Sequence, residues 1–132
     1  MFIILNTTGL AALNVDYDAA SSTSPDELCD RFCNYLSLGR QVSVVARELA
    51  KRILEVGSLD GRSPLTVAAA TIFFASNLMG EPKTAKEIAN TAGVSDGTIR
   101  NSYKFLRQDQ EKLISPEWIA RGGDVSRLPA VQ

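Results

Sequence analysis

The residues best able to do chemistry in this chain lie in the stretch AGVSDGTIRNSYK, from Ala92 to Lys104. Arg100, Asn101 and Lys104 follow a glycine that can end one helix and Ser95, which can begin the next. At 3.6 residues per turn, these three side chains share one face of the second helix. Arginine and asparagine hydrogen-bond to guanine and adenine, and lysine pairs with phosphate. The stretch is therefore typical of a helix that contacts nucleic acid.

Composition excludes most enzyme chemistry. The chain has no histidine, which removes the commonest general base, the usual nitrogen ligand of zinc and every Ser-His or Cys-His nucleophile pair. The sequence also shows no glycine-rich phosphate loop and no converging acidic cluster. We therefore predict that the chain is not an enzyme and needs no cofactor.

The two cysteines, Cys29 and Cys33, are four residues apart in an apolar helical pattern. No second pair of Cys or His residues exists to complete a tetrahedral zinc site. Helical spacing suits packing and does not require a disulfide. We therefore expect both thiols in the core, no bound metal, and a reduced intracellular setting.

The charge of the chain is small overall and unevenly distributed. The formal net charge is -1 and the pI is about 5.4, which argues against binding to nucleic acid through bulk charge alone. Between Lys83 and Arg107, however, five basic residues stand against two acidic ones. Any nucleic-acid surface must therefore be local to this segment.

Residues 1–23 are expected to precede the ordered domain. The apolar start MFIILNTTGLAALNV lacks a basic n-region and is too short to span a bilayer, so it is neither a convincing signal peptide nor an anchor. The small polar residues of DYDAASSTS, at 16–24, are typical of a linker. We expect the domain itself at 24–112, followed by a short helix and tail at 113–132.

Cap and periodicity signals predict an all-α fold around one central helix. Ser24-Pro25 precedes a glutamate at the third helical position, and Ser63-Pro64 precedes a run that is apolar on nearly every side as far as Met79. A helix without a polar face belongs in the middle of a bundle. Five main helices are predicted: about 24–37, 41–56 and 64–79, then two that form a helix-turn-helix at 84–107. A short helix after Ser115 and a tail after Gly123 complete the prediction.

The corner at Gly93 has a mechanical explanation. Gly93 can adopt the left-handed conformation of a turn, and Val94 and Ile99 close the apolar seam between the two helices. Ile99 and Tyr103 then face inward, and the residues that face outward are Asp96, Gly97, Arg100, Asn101 and Lys104. The same corner is also compatible with a bundle whose charges are merely solvated, because such corners occur in proteins that bind no nucleic acid.

The helix at 41–56 carries a second basic face, with Arg47, Lys51 and Arg52. Exposed charged faces are usually just solvated. The alternative is a protein-binding surface, for which the candidates are Arg40, Arg47 and Lys51.

Four segments of the chain, in this order, resemble a known family: LCDRFCNYL (28–36), GRSPLTVAAATIFFAS (61–76), KEIANTAGVSDGTIRNSYKFL (86–106) and the terminal LPAVQ. Together they resemble the second cyclin-like repeat of the eukaryotic transcription factor IIB family, most of all in its fungal versions. The resemblance covers about residues 24–132. It implies a five-helix cyclin-like domain that ends in a helix-turn-helix.

The resemblance also implies a role in transcription initiation in the nucleus. The core domain of the family clamps the complex of TATA-binding protein with promoter double-stranded DNA and recognises an element upstream of the TATA box. It also helps to recruit RNA polymerase II. Transcriptional activators are further expected partners, and we expect a monomer without membrane association.

The residue roles implied by the resemblance lie mainly on the second helix of the corner. Arg100 matches the base-reading arginine of the family, Lys104 matches a basic position that supports the DNA backbone, and the loop 61–63 is expected to contact phosphate. The complete set of expected DNA-binding residues is Ser95, Gly97, Thr98, Arg100, Asn101, Lys104, Gly61 and Arg62.

Two departures from the family pattern qualify this prediction. Gly97 stands where many animal and archaeal members have valine, which weakens the expected selectivity for the upstream element. The chain lacks the zinc ribbon, the reader and linker segment and the first cyclin repeat, so we expect a fragment or a truncated product. Residues 1–23 would then be a linker, a remnant of the missing repeat, or ordinary disorder. The alternative function is a cyclin-fold protein-interaction module that does not recognise DNA directly.

Overall fold

The computed structural model describes residues 24–131, so the expectations for residues 1–23 lie outside it. The helices are α1 (Pro25–Tyr35), α2 (Arg40–Val56), α3 (Pro64–Leu78), α4 (Ala85–Ala92), α5 (Asp96–Gln108), α6 (Gln110–Leu113), α7 (Pro116–Ala120) and a 3₁₀ helix (Val125–Arg127). The described residues contain no strand, and the all-α prediction is confirmed.

Helix α3 lies at the centre of the fold. Every residue from Thr66 to Leu78 is buried. The helix contacts α1, α2, α4 and α5. Ala68, Ala69 and Ala70 have no exposed surface, and their small side chains let the neighbouring helices approach closely. The apolar run of the sequence is therefore the hub that its pattern predicts.

Local hydrogen bonds determine where several helices begin and end. The Ser63 hydroxyl accepts the Thr66 N–H at 3.2 Å and so caps α3. Thr84 and Glu87 form a reciprocal capping box at the start of α4. Gly57 ends α2 with a φ of 85°, a conformation that glycine adopts without strain. Each of these capping residues can be recognised from the sequence alone.

The start of α1 differs in detail from the sequence prediction. Ser24 occupies the N-cap position, but its hydroxyl makes no capping bond to the helix backbone. It instead donates to Oδ1 of Asp26 at 2.6 Å, and this hydrogen bond lowers the pKa of the Asp26 carboxyl. The Ser24 hydroxyl forms a stronger hydrogen bond with this ionised carboxylate than it would form with a neutral backbone N–H of the helix.

The chain after α5 folds back onto α2 through Trp118. The Trp118 side chain is fully buried, and its indole N–H donates to Oε1 of Glu48 at 2.6 Å. The Arg52 guanidinium lies 5.6 Å from the centre of the indole ring. Arg52 was expected on the basic face of α2, and the structure corrects this. The side chain covers the tryptophan, where it gains a cation–π contact.

The segment after Gly123 was expected to be a tail, and this part of the prediction is also corrected. The Asp124 N–H donates to the Leu78 carbonyl at 3.0 Å, and Nη1 of Arg127 donates to the same oxygen at 3.2 Å. Leu128 is buried in the core cluster. The last carbonyls of a helix need partners outside the helix, and this segment supplies two for the Leu78 carbonyl of α3.

Cys29 and Cys33 are buried and unbridged, as predicted. Burial raises the pKa of Cys29 well above its ordinary value and the pKa of Cys33 to about 11. The Cys29 thiol donates to the Ala68 carbonyl at 3.8 Å. Both thiols stay protonated at neutral pH and serve as packing groups.

We expect Trp118→Ala to lower the free energy of unfolding by about 3–5 kcal/mol, because it removes a large buried ring and leaves Glu48 without its donor. The matched control is Ile119→Ala on the same helix, since Ile119 is 40% exposed and should cost under about 1 kcal/mol. Urea denaturation measures both variants. Equal, small losses would contradict the anchoring role of Trp118.

Candidate nucleic-acid interface

Helices α4 and α5 meet at the corner that the sequence predicts. Gly93 ends α4 with a φ of 78°, and its N–H donates to the Ala89 carbonyl at 2.9 Å. An added Cβ at Gly93 would meet no atom within 4 Å, so only the backbone conformation requires glycine. Ile99 closes the seam from α5 and has no exposed surface. The corner is a tightly packed helix-turn-helix.

Ser95 and Thr98 hold the first turn of α5. The Ser95 hydroxyl accepts the Thr98 N–H at 3.1 Å, and the two hydroxyl oxygens lie 2.7 Å apart. Both residues are exposed, but their side chains already bond to each other. Their contribution in the structure is to begin the helix and set the direction of its outer face.

The outer face of α5 carries the predicted contact residues together. Gly97, Arg100 and Asn101 are exposed, and Lys104 is half-buried. Nη1 of Arg100 lies 3.3 Å from Oδ2 of Asp96, one turn earlier on the helix, and the two side chains are 54% and 46% exposed. An ion pair this exposed adds little stability. Arg100 can therefore exchange Asp96 for a better acceptor at small cost.

Arg62 borders the opposite flank of α5. Its guanidinium lies 4.7 Å from the centre of the Phe105 ring, which is 37% exposed. Phe105 is about 140° around the helix from Arg100 at 100° per residue. Gly61, beside Arg62, is exposed with a φ of 86°. The loop before α3 therefore contacts the candidate helix through Phe105. The sequence analysis missed this contact, because an aromatic residue in an amphipathic helix is typical of core packing.

Arg107 is not part of this outer surface, although it belongs to the basic group counted from the sequence. Its side chain is half-buried, and Nη1 donates to the Pro129 carbonyl at 2.6 Å and to the Tyr103 hydroxyl at 3.1 Å. The positive charge exposed to a partner is therefore smaller than the sequence count indicates.

A groove of about 300 Å³ runs along α5, between the helix and the C-terminal segment. Arg100 and Lys104 contribute to the helix side of its lining, and Ala130 and Val131 contribute to the opposite side. Sequence reasoning missed this second wall because the segment has no helical periodicity. Its sole signal was the place of LPAVQ in the family resemblance.

Gly97 leaves open space on the outer face. A Cβ added there would meet only the Ser95 hydroxyl oxygen, at 4.0 Å, which is ordinary van der Waals distance. Its φ lies outside the left-handed region. The fold itself would therefore accept a larger residue, and glycine lowers the helix propensity of this turn without a packing reason.

The predicted basic face of α2 lies on a different surface. Arg40, Arg47 and Lys51 are all exposed. Leu54 follows Lys51 by three residues on the same face and is 58% exposed. Lys51 and Arg47 also help to lower the pKa of Asp26, after the larger effect of its hydrogen bond with Ser24. The structure thus separates the α2 candidates from the α5 candidates.

Residues 24–131 also bear on membrane insertion and metal binding. Within that range, no helix is both long and apolar enough to cross a bilayer. The same residues contain no group of three or more potential metal ligands of the Cys, Asp and Glu types.

Comparison with known proteins decides the family. The family model of the transcription factor TFIIB repeat matches residues 18–109. The chain belongs to this family. Its all-helical fold agrees with the cyclin-like TFIIB repeat.

Three relatives with similar sequences are much longer than this chain. The chain is 50% identical over 105 residues to transcription initiation factor IIB of Schizosaccharomyces pombe, which covers 80% of the chain and 31% of the relative. The chain is 35% identical over 121 residues to transcription initiation factor IIB of Saccharomyces cerevisiae, and the match covers 91% of the chain and 35% of the relative. It is 40% identical over 97 residues to the same factor of Homo sapiens, and this match covers 74% of the chain and 30% of the relative. The chain therefore spans about a third of the length of the curated relatives it matches.

We expect Gly97→Ala to raise the free energy of unfolding by about 0.5 kcal/mol, because alanine has the higher helix propensity and the site has room for its methyl group. Gly93→Ala is the control with the opposite sign. It places a Cβ at a left-handed position and should cost about 1–2 kcal/mol. Thermal unfolding of both variants checks the pair, and a loss of stability in Gly97→Ala would show that the site is tighter than described.

Proposed function

We propose that this TFIIB repeat is the promoter-DNA-binding part of a general transcription initiation factor. It acts in the nucleus with TATA-binding protein and RNA polymerase II, and it carries no catalytic activity. The observation that carries the proposal is that exposed Arg100 and Asn101 and half-buried Lys104 share the outer face of α5, the second helix of the packed helix-turn-helix. Family membership and the names of the relatives as initiation factors support it.

The outer face of α5 fits a recognition helix in the major groove of the upstream promoter element. The first two turns of the helix approach the base edges, and Gly97 permits close approach while contributing no side chain contact. Arg100 leaves Asp96 and forms a bidentate bond with guanine, and Asn101 lies beside it on the same face. Lys104, one turn later, pairs with the phosphate backbone, and Arg62 provides a second phosphate contact from the other flank of the helix.

The charge of the chain makes the isolated repeat a weak DNA binder. The net charge is -1, so only a few local cations neutralise phosphates. Arg100 partly neutralises Asp96 in the free repeat, and Asp96 is left unpaired near the phosphates when Arg100 turns to a base, which weakens binding further. Binding beside a partner already bound to DNA, such as TATA-binding protein, raises the effective concentration of the repeat at its site. The weak contact then suffices for assembly.

We expect Arg100→Ala to weaken binding to the preferred promoter duplex by about 5- to 150-fold and to relax base preference at one position, because one bidentate contact is worth about 1–3 kcal/mol. The matched control is Arg121→Ala. Arg121 forms the same type of exposed i,i+4 ion pair, 3.2 Å from Glu117, but lies at the C-cap of α7. Gel-shift titration with TATA-binding protein on promoter DNA measures both variants.

Lys104→Ala gives a third arm of this experiment, with a different signature. It should weaken binding to all duplexes alike and reduce the slope of affinity against salt by about one ion, as expected for a phosphate contact. If neither Arg100→Ala nor Lys104→Ala differs from the Arg121→Ala control, α5 is not the DNA-binding helix.

The second candidate function is a protein-interaction surface on α2. The observation that favours it is the exposed Leu54 beside exposed Arg47 and Lys51. Apolar and basic groups on one helix face suit an acidic amphipathic peptide, such as a segment of a transcriptional activator. This surface lies away from α5, so both functions are compatible in one domain.

We expect the double variant Arg47→Glu and Lys51→Glu to reduce binding of an acidic peptide at least tenfold and to leave promoter-DNA affinity within about twofold, since the two surfaces are separate. The control double variant, Lys112→Glu and Arg121→Glu, changes the net charge by the same amount on α6 and at the C-cap of α7. Fluorescence anisotropy with labelled peptide and labelled duplex measures both. Equal losses in the two double variants would indicate bulk charge and remove the case for a specific α2 surface.

A further inference from the structure

A cluster of hydrogen bonds joins α5 to the C-terminal segment. The Tyr103 hydroxyl donates to the Pro129 carbonyl at 2.5 Å, and Nη1 of Arg107 donates to the same oxygen at 2.6 Å. Nη1 of Arg107 also donates to the Tyr103 hydroxyl oxygen at 3.1 Å. Two donors from successive turns of α5 thus converge on one carbonyl oxygen. We call Tyr103, Arg107 and Pro129 the latch.

The latch is held in place from several sides. Tyr103 is buried, and its ring packs edge-on against Phe73 of α3 with 4.9 Å between ring centres. Nε of Arg107 donates to Oε1 of Gln110 at 2.8 Å. Burial raises the pKa of the Tyr103 phenol, and the hydroxyl therefore remains a hydrogen-bond donor at neutral pH. Within residues 24–131, no carboxylate pairs with Arg107, so its guanidinium is committed to these neutral acceptors.

The latch determines where the second wall of the groove lies. Ala130 and Val131, which follow Pro129, are both exposed and have no buried side chain to hold them. Arg100 and Pro129 both line this groove, and both also line a neighbouring cavity of about 400 Å³ that extends toward Lys83. Arg100 therefore projects beside the residue that the latch holds.

We propose that Tyr103 and Arg107 are positioning residues for DNA recognition. By holding Pro129, they keep the C-terminal segment beside α5, and this wall restricts Arg100 to orientations that point outward toward a base edge. A side chain that is restricted before binding loses less conformational entropy on binding. It also adjusts less to a base whose hydrogen-bonding groups are placed differently. The inference rests on the proposed function of α5, and it assigns base preference to residues that themselves touch no DNA.

The test separates base preference from general affinity. The variants are Tyr103→Phe, which removes one donor and keeps the ring, and Arg107→Lys, which keeps the charge and removes the planar pair of donors. A third variant, Ala130→Gly with Val131→Gly, leaves the Pro129 carbonyl and the latch in place and removes the side chains of the exposed part of the wall. For each protein, gel-shift titration compares the preferred duplex with one changed at the base that Arg100→Ala identifies, and with an unrelated duplex.

We expect the ratio of affinities for the preferred and changed duplexes to fall about fivefold in all three variants, the factor that corresponds to one hydrogen bond of ordinary strength. Affinity for the unrelated duplex should stay within about twofold, because the outward charges remain. A merely structural role would lower binding to all duplexes in proportion to the folded fraction, which circular dichroism measures. If a latch variant fails to fold, the double glycine variant still tests the wall.

The outcomes distinguish this inference from the function on which it rests. A wild-type chain without any base preference overturns the proposed DNA recognition and this inference with it. A wild-type preference that persists unchanged in the variants, or that falls only in step with general affinity, overturns the positioning role alone. A selective loss of preference in the variants supports it.

Discussion

The whole fold depends on one constraint, which is that α3 has no face that water can cover. Thr66 to Leu78 are buried, so the neighbouring helices must supply apolar surface on every side. Alanines in the middle of α3 permit close approach, and Ile99 and Tyr103 place α5 against it. The orientation of α5 is therefore set by the core, and its outer face is the part of the helix that packing leaves free.

The end of α3 creates a second demand that shapes the candidate interface. The Leu78 carbonyl accepts the Asp124 N–H and the Arg127 side chain, so residues that a sequence pattern would treat as loose are drawn back onto the domain. The same segment continues to Leu128 and Pro129 and becomes one wall of the groove along α5. The C-terminal segment therefore both provides hydrogen-bond partners for the end of α3 and forms one wall of the groove.

The basic residues around α5 differ in how freely they can act. The guanidinium of Arg100 forms an exposed ion pair with Asp96, Arg62 lies over the Phe105 ring, and Arg107 donates to a carbonyl and a phenol. Their equal formal charges therefore conceal unequal availability to a partner. The net charge of the chain is -1, so the positive charge around α5 is local and depends on a few side chains.

The sequence alone determined the local features of this protein and the place of its central helix. The cap at Ser95, the turn at Gly93 and the outward set around Arg100 depend on residues within about one helical turn of one another, so their spacing is sufficient evidence. Tertiary structure decided the rest. Trp118 and Glu48 are 70 residues apart, and Tyr103 and Pro129 are 26 apart, yet each pair shares a hydrogen bond. No periodic pattern encodes such contacts, because they arise only when the buried surface of α3 has brought distant segments together.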